Sequence, residues 1–141
     1  MFKYKRTIRL SETDATGVIY FSELLKLGLE TFEAFLADEG FTLSTMIEKT
    51  DFLMPIVHAE ADFSGPLKVG DQVDIELKLA RLGTSSFTLS SILFLEGKEM
   101  GKTSIVHVTV SKITRKSIPI PDLIKDLINS CYAASERGCV T

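Results

Sequence analysis

The chain reads as an α+β fold, a curved antiparallel sheet of about five strands wrapped around one long helix, and three observations predict it. One stretch carries an apolar stripe at helical spacing. The first ten residues and four later stretches alternate at the period of a strand. Glycine, proline and short polar clusters punctuate the stretches between. With 141 residues, a single domain spanning 1–141 is expected, long enough to remove about two thirds of its unfolded surface from water.

Taken in order, Phe2, Tyr4, Ile8 and Leu10 share one parity and Lys3, Lys5, Thr7 and Arg9 the other, which predicts a first strand with one apolar face. Arg6 is the exception on that face. Leu25, Leu29, Phe32 and Leu36, widened by Leu24 and Phe35, predict an amphipathic helix from about Ser22 to Glu39. Ser22 and Glu23 suit its start, and Gly40 suits its stop because glycine enters the left-handed region without strain. Gly28 inside it marks a close packing contact. Thr42 to Asp51 predicts a helical turn or two. Strands follow at Ile56 to Phe63, Gln72 to Leu82, Phe87 to Leu95 and Met100 to Ile113, with Glu96-Gly97-Lys98 as a hairpin tip, in meander or near-meander order. Pro119 and Pro121 end the sheet, a short helix runs to about Tyr132, and the tail SERGCVT is expected to fray. Both parities of Phe87 to Leu95 carry large apolar residues, so a cover on both faces, and hence a second subunit, is expected.

Apolar residues make up 45% and charged residues 25%, the balance of an ordinary globular chain, and the net charge of −3 offers no basic face for nucleic acid. No stretch approaches the roughly 20 apolar residues of a membrane span, and MFKYKRTIRL lacks the apolar core of a secretory signal. A cytoplasmic protein is expected. Cys131 and Cys139 lack metal or redox spacing and read as thiols. No GxSxG elbow, HExxH pair or phosphate-binding glycine loop is present, so serine-hydrolase, metalloenzyme and nucleotide-triphosphatase readings have no support and no metal is expected.

The stretch Glu12 to Leu25, ETDATGVIYFSELL, places one acid in a polar turn ahead of the long helix. From position alone Asp14 is open to two readings, a cap or turn residue and a catalytic carboxylate. His58 and His107 both fall in strands, where a lone histidine is most often structural.

Three pieces of the chain resemble the hotdog-fold acyl-CoA thioesterases of the 4-hydroxybenzoyl-CoA thioesterase type. ETDATGVIYFSELL is similar to that family's D-x-x-G-x-x-Y/F turn, HAEADFSGPLKVGDQVDIEL to its strand pair joined through Pro66, Gly70 and Asp71, and RLGTSSFTL with TRKSIPIP to its RxGxSS strand start and proline-rich ending. Within the family, VIYFSELL, ETFEAFLADEG and PIVHAEADFSGP look closest to the 1,4-dihydroxy-2-naphthoyl-CoA hydrolases of phylloquinone and menaquinone synthesis.

The resemblance implies a cytoplasmic homo-oligomer, a dimer at least and by family a tetramer, that hydrolyses an acyl-CoA without a cofactor. It implies that Asp14 acts on the thioester as nucleophile or general base, with the Phe21 backbone N–H as oxyanion donor and Gly17 between them. Tyr20 and His58 would border the acyl pocket. Arg81, Lys112, Arg115 and Lys116, with Ser85 and Ser86, would meet the coenzyme A. Two alternatives stand beside this reading: a broad thioesterase for short or medium aliphatic acyl-CoA or acyl carrier protein, and a non-catalytic acyl-CoA binding protein.

Overall fold

In the computed structural model, residues 1–136 are described, with side chains through Ser130. The elements run β1 (Phe2–Thr7), one 3₁₀ turn (Leu10–Glu12), α1 (Phe21–Asp38), α2 (Leu43–Lys49), β2 (Phe52–Leu53), β3 (Ile56–Phe63), β4 (Gln72–Leu82), β5 (Ser86–Leu95), β6 (Lys98–Val108), β7 (Val110–Ser111) and α3 (Asp122–Glu136). Five strands form one antiparallel sheet in the order β1-β4-β5-β6-β3. Only β4, β5 and β6 are a true meander. The expected β3–β4 pair does not exist: β3 leaves for the far edge beside β6, and β1 closes the opposite edge beside β4.

The helix α1 forms where the stripe predicts it and lies along β6. A Cβ added to Gly28 would stand 2.7 Å from Thr103 Oγ1 and 3.3 Å from Ile105 Cδ1, so only glycine lets the helix approach this closely. The helix stops as expected: Gly40 has φ +80°, its N–H donates to Ala37 O, and the Phe41 N–H donates to Leu36 O. These two bonds satisfy carbonyls that the last turn leaves free. The start differs, because Tyr20 rather than Ser22 holds the cap position and no side chain caps it.

Two apolar clusters fill the layer between helices and sheet. One gathers Leu24, Leu27, Ile8, Ile19, Leu67, Val73, Ile75 and Leu93 around the first turns of α1. The other gathers Phe32, Phe35 and Leu36 with Leu77, Leu79, Phe87 and the α3 residues Ile124 and Ile128 around its last turns. Thus α3 shares the face that α1 covers. It also extends through Ser135 and Glu136, beyond the expected end near Tyr132, while Cys139 and the rest of the tail, and the Cys131 side chain, lie outside the described residues.

Two further expectations change. The first strand ends at Thr7, and Leu10 turns outward at 74% exposure while Ile8 is buried. The long strand predicted to Ile113 breaks at Thr109, whose N–H donates to Ser85 O and whose hydroxyl donates to Ile118 O. Beyond the break, Val110 and Ser111 pair with Leu53 and Phe52 in a separate two-stranded ribbon. The hairpin falls where predicted, but its tip is two residues rather than three: Glu96 and Gly97 have φ of 51° and 82°, and Lys98, expected in the tip, already pairs with Leu95 in β6, a two-residue hairpin whose backbone twist matches that of the strands. The second face of β5 is less apolar than its sequence suggests, since Ser90 is buried there and Ile92 and Phe94 are half-buried. Exposed apolar surface gathers instead near the free β3 edge and the start of α1, at Ile56, Val57, Phe63, Tyr20 and Phe21.

Candidate active site

The acid-bearing turn is a miniature hairpin. Thr13 bridges Ile19, the Asp14 N–H donates to Val18 O, and the Gly17 N–H donates to Asp14 O at 3.0 Å. Asp at the first position and glycine at the fourth favour this turn, because the carboxylate can accept from the backbone two residues on. Asp14 Oδ1 does so, accepting from the Thr16 N–H at 2.8 Å, the Thr16 hydroxyl at 2.5 Å and the Val18 N–H at 3.3 Å. Asp14 is therefore a turn acceptor and not a helix cap, since the cap position falls six residues later at Tyr20. The Thr16 hydroxyl, seconded by backbone N–H groups, holds the carboxyl below its ordinary value, so Asp14 is ionised at neutral pH.

Gly17 is required for its φ of +82° and not for close approach, since an added Cβ would meet only Val69 Cγ1 at 3.8 Å. The 64–71 connection braces the turn: Ile19 donates to Leu67 O and Val69 donates to Gly17 O. Within that connection Asp71 is a turn carboxylate, accepting from the Lys68 N–H at 2.8 Å, whereas Asp62 lies in β3 opposite Lys102. Phe21 opens α1, and none of the hydrogen bonds among the described residues uses its N–H. A first-turn N–H without a partner, at the positive end of the helix dipole, is a ready donor for an anionic oxygen. The Phe21 ring contacts Phe63 at 5.5 Å and is 57% exposed, beside the half-exposed Tyr20.

An ion cluster that the sequence reading did not assign anchors this region. Arg6, the exception on the apolar face of β1, is half-buried as a residue with its side chain turned inward, and it donates through both terminal nitrogens to Glu12 and through Nε to Glu30 at 2.6 Å. Tyr4 donates to the same Glu30 at 2.8 Å. Burial alone would raise the Glu12 carboxyl, but the Arg6 guanidinium and the Arg9 N–H and charge together outweigh it, and the pKa falls below the ordinary value. Glu12 O in turn accepts from the Tyr20 N–H, tying the cluster to the entry of α1. One charged residue among apolar neighbours on a strand face was the signal available for it.

The remaining candidates lie elsewhere. His58 is exposed on β3, 3.3 Å from Glu60. Arg81 sits after a bulge in β4, Ser85 lies in the β4–β5 turn, and Ser86 opens β5, its carbonyl accepting from the Gly83 N–H. Lys112, Arg115 and Lys116 share the turn after β7, in which Arg115 has φ +62° and Lys112 Nζ donates to Ile47 O. These groups gather at one end of the sheet and the Asp14 turn at the other. Leu24 packs at Gly101 and Phe32 against His107, six residues along β6, which sets the two ends about 20 Å apart.

Near the basic end, an apolar groove of about 570 Å³ is lined by residues including Leu29, Phe32, Met46, Met54, Ile56 and His107, with Arg115 and Glu33 as its charged members. This size suits a drug-sized ligand. It falls between α1, α2 and β2, in a stretch whose short elements gave no chemical signal in the sequence. Among the described residues no helix is long and apolar enough to cross a membrane, and no group of His, Cys, Asp and Glu could hold a metal ion.

A long helix wrapped by a curved five-stranded sheet, with an acid-bearing turn at the helix start, is the hotdog arrangement. The chain belongs to the thioesterase-like superfamily, whose family model matches residues 8–128. It is 40% identical over 119 residues to a 1,4-dihydroxy-2-naphthoyl-CoA hydrolase of Prochlorococcus marinus, covering 79% of this chain and 77% of that one. A second such hydrolase, from Rippkaea orientalis, is 35% identical over 133 residues, 92% of this chain and 96% of the relative. Among solved structures, a 1,4-dihydroxy-2-naphthoyl-CoA thioesterase from Synechocystis superposes with a TM-score of 0.85 at 28% identity, over 91% of this chain and 95% of that one. A gentisyl-coenzyme A thioesterase superposes with a TM-score of 0.80 at 26% identity, over 90% and 99%.

Proposed function

We propose that the protein hydrolyses an aromatic acyl-CoA thioester, 1,4-dihydroxy-2-naphthoyl-CoA as the favoured substrate, to the free acid and coenzyme A. One observation carries this reading: a carboxylate held ionised in a rigid turn, Asp14, precedes a helix whose first N–H, at Phe21, has no partner among the described residues. A thioester needs a base or nucleophile at its carbonyl carbon and a donor waiting for the oxygen that becomes negative. As nucleophile, the carboxylate forms an anhydride and expels the CoA thiolate, and water then releases the acid. As base, it takes the proton of the attacking water, and the tetrahedral intermediate expels the thiolate. Mass spectrometry of acid-quenched enzyme separates the two, since only the first adds the acyl mass to the Asp14 peptide.

The active unit is a homo-oligomer with the β3 edges of two copies paired antiparallel about a two-fold axis. The exposed Ile56, Val57 and Phe63 support this choice of edge. Such pairing sets the Ile56 end of one β3 opposite the Phe63 end of the other, so the apolar groove of one copy meets the Asp14 turn of its mate. Arg81, Lys112, Arg115 and Lys116 then supply charge for the coenzyme A phosphates, with Ser85 and Ser86 beside them. The absence of a membrane-length helix among the described residues is compatible with a cytoplasmic location.

The test is thiol release from a panel of aromatic and aliphatic acyl-CoA for the wild type and Asp14→Asn. Aromatic thioesters should have the highest kcat/KM, and Asp14→Asn should lower it by about 10²-fold or more. Equal rates for the two proteins would remove Asp14 from the chemistry. Aliphatic thioesters hydrolysed faster would remove the naphthoyl assignment, and no release from any substrate would favour a binding protein.

A further inference from the structure

Glu12 is attached to α1 at two places. Its backbone carbonyl accepts the Tyr20 N–H at 3.0 Å, one residue ahead of the unpartnered Phe21 N–H. Its side chain reaches the same helix through Arg6, whose two terminal nitrogens donate to the Glu12 carboxylate while Nε donates to Glu30 at 2.6 Å. Glu30 stands in the third turn of α1, about 14 Å along the axis from Phe21. The Arg9 N–H, at 2.8 Å, adds a third donor to the Glu12 carboxylate, and the Tyr4 hydroxyl, at 2.8 Å, braces Glu30.

The proposed catalytic groups hang on this residue. Glu12 to Asp14 and Val18 to Tyr20 run antiparallel as a short ladder: Thr13 lies opposite Ile19, and the Asp14 N–H donates to Val18 O at 2.9 Å. The acid is at one end of the ladder and the Phe21 N–H is just beyond the other. A segment bonded to a helix at one point can pivot about it. Bonded at two points far apart along the axis, it cannot. Stability does not account for charge in this place, since the Arg6 and Glu12 side chains are only 8% and 11% exposed and apolar side chains of similar volume serve such a site as well or better. What the charged pair adds is direction, because a guanidinium fork meets a carboxylate in one plane.

We infer that Glu12 is a positioning residue for the proposed reaction: through its two attachments to α1 it fixes the Asp14 carboxylate relative to the Phe21 N–H. Its own carboxylate, taken up by Arg6 and Arg9, stays out of the chemistry. This inference rests on the thioesterase reading, and its tests separate the two.

The first measurement is hydrolysis of 1-hydroxy-2-naphthoyl-CoA by the full-length wild type, Glu12→Gln and the double variant Arg6→Met/Glu12→Leu, beside urea unfolding of each. Glu12→Gln keeps the shape of the side chain and loses the charge. It should lower kcat by about tenfold or more and leave KM within about threefold, because the reacting groups are misplaced while substrate contacts remain. In the double variant both charges leave together, so its urea midpoint should return towards that of wild type while kcat stays as low as in Glu12→Gln. A kcat that recovers along with the midpoint would reduce the cluster to packing and overturn the inference. Should Glu12→Gln fail to fold, the double variant carries the same comparison with wild type. The second measurement needs no turnover. In hydrogen exchange followed by NMR, the Tyr20 N–H, bonded to Glu12 O, should lose about tenfold or more of its protection in the variants, while the Ile19 N–H, bonded to Leu67 O, keeps its own. Unchanged protection at Tyr20 overturns the inference and leaves the thioesterase reading intact. A selective loss at Tyr20, in a protein whose wild type hydrolyses no thioester, would uphold the clamp and remove the thioesterase reading.

Discussion

Asp14 is prepared by its neighbours for work at neutral pH. The Thr16 hydroxyl bonds Oδ1 at 2.5 Å and is the largest influence lowering its pKa. The folded pKa lies below the ordinary carboxylate value, so the carboxylate form persists as pH falls through that value and is lost only below it. Under the proposed mechanism kcat/KM should stay level to mildly acidic pH before its acid limb begins. Thr16→Val should move that limb to higher pH, with the plateau rate changed less than the limb, because the backbone N–H bonds from Thr16 and Val18 remain. A pH–rate profile for the two proteins checks this. An unmoved limb would mean that a group other than Asp14 titrates in it.

At the scale of elements, the site depends on joining β1, the 3₁₀ turn and α1. The Arg6 cluster does this with three charged side chains and the Tyr4 hydroxyl, and Arg6 and Glu12 are only 8% and 11% exposed. Taking one partner from a buried pair leaves the other charge uncompensated, at about 3–5 kcal/mol. Arg6→Met should therefore destabilise the protein by roughly this amount in urea unfolding. The pH dependence follows in sign. Glu12 has its pKa lowered from 4.5 in the folded state, so its contribution is present above 4.5 and is lost as pH falls through the folded value. Arg6→Met should flatten that acid dependence, and a variant as steep as wild type would show that the cluster does not cause it. The α1–β6 contact is the second junction. Its spacing is set by Gly28, against which Thr103 and Ile105 lie.

For the whole molecule, the Asp14 turn stands at the start of α1 and the apolar groove against its middle, at Leu29, Phe32 and Glu33, and one chain does not bring them together. The proposed pairing of β3 edges does, and it accounts for the apolar surface left at Ile56, Val57 and Phe63, which a monomer would leave wet. Val57 is 61% exposed. Val57→Glu places one charge from each copy within the paired edge, facing the Asp62 end of its mate, and should shift the protein to monomer by light scattering while its circular dichroism stays native. Thioesterase activity should fall with the dimer. A monomer with full activity would show that the site is complete within one chain.

Much of this was legible in the residues themselves, because it rests on local physics. The stripe from Leu24 to Leu36 sets α1, Gly40 stops it, Glu96-Gly97 turns a hairpin, and the order Asp14, Gly17, Phe21 marks the turn that leads into the helix. Each depends on neighbours within a few positions. Contacts between distant residues were not legible. Alternation shows that β3 is a strand but not that its partner is β6, which begins 16 residues after the end of the nearer β4 that it bypasses, because strand pairing is settled by the packing of the whole sheet on α1. Arg6 read as an interruption until Glu12 and Glu30 closed around it. His107 read as one more strand histidine. The groove beside it is built from α1, α2 and β2, and only the tertiary structure set Met54 against Nδ1 and left Nε2 without a donor. Sequence by itself determined the elements and the acid ahead of the helix; tertiary structure decided which side chains, distant along the chain, share a wall.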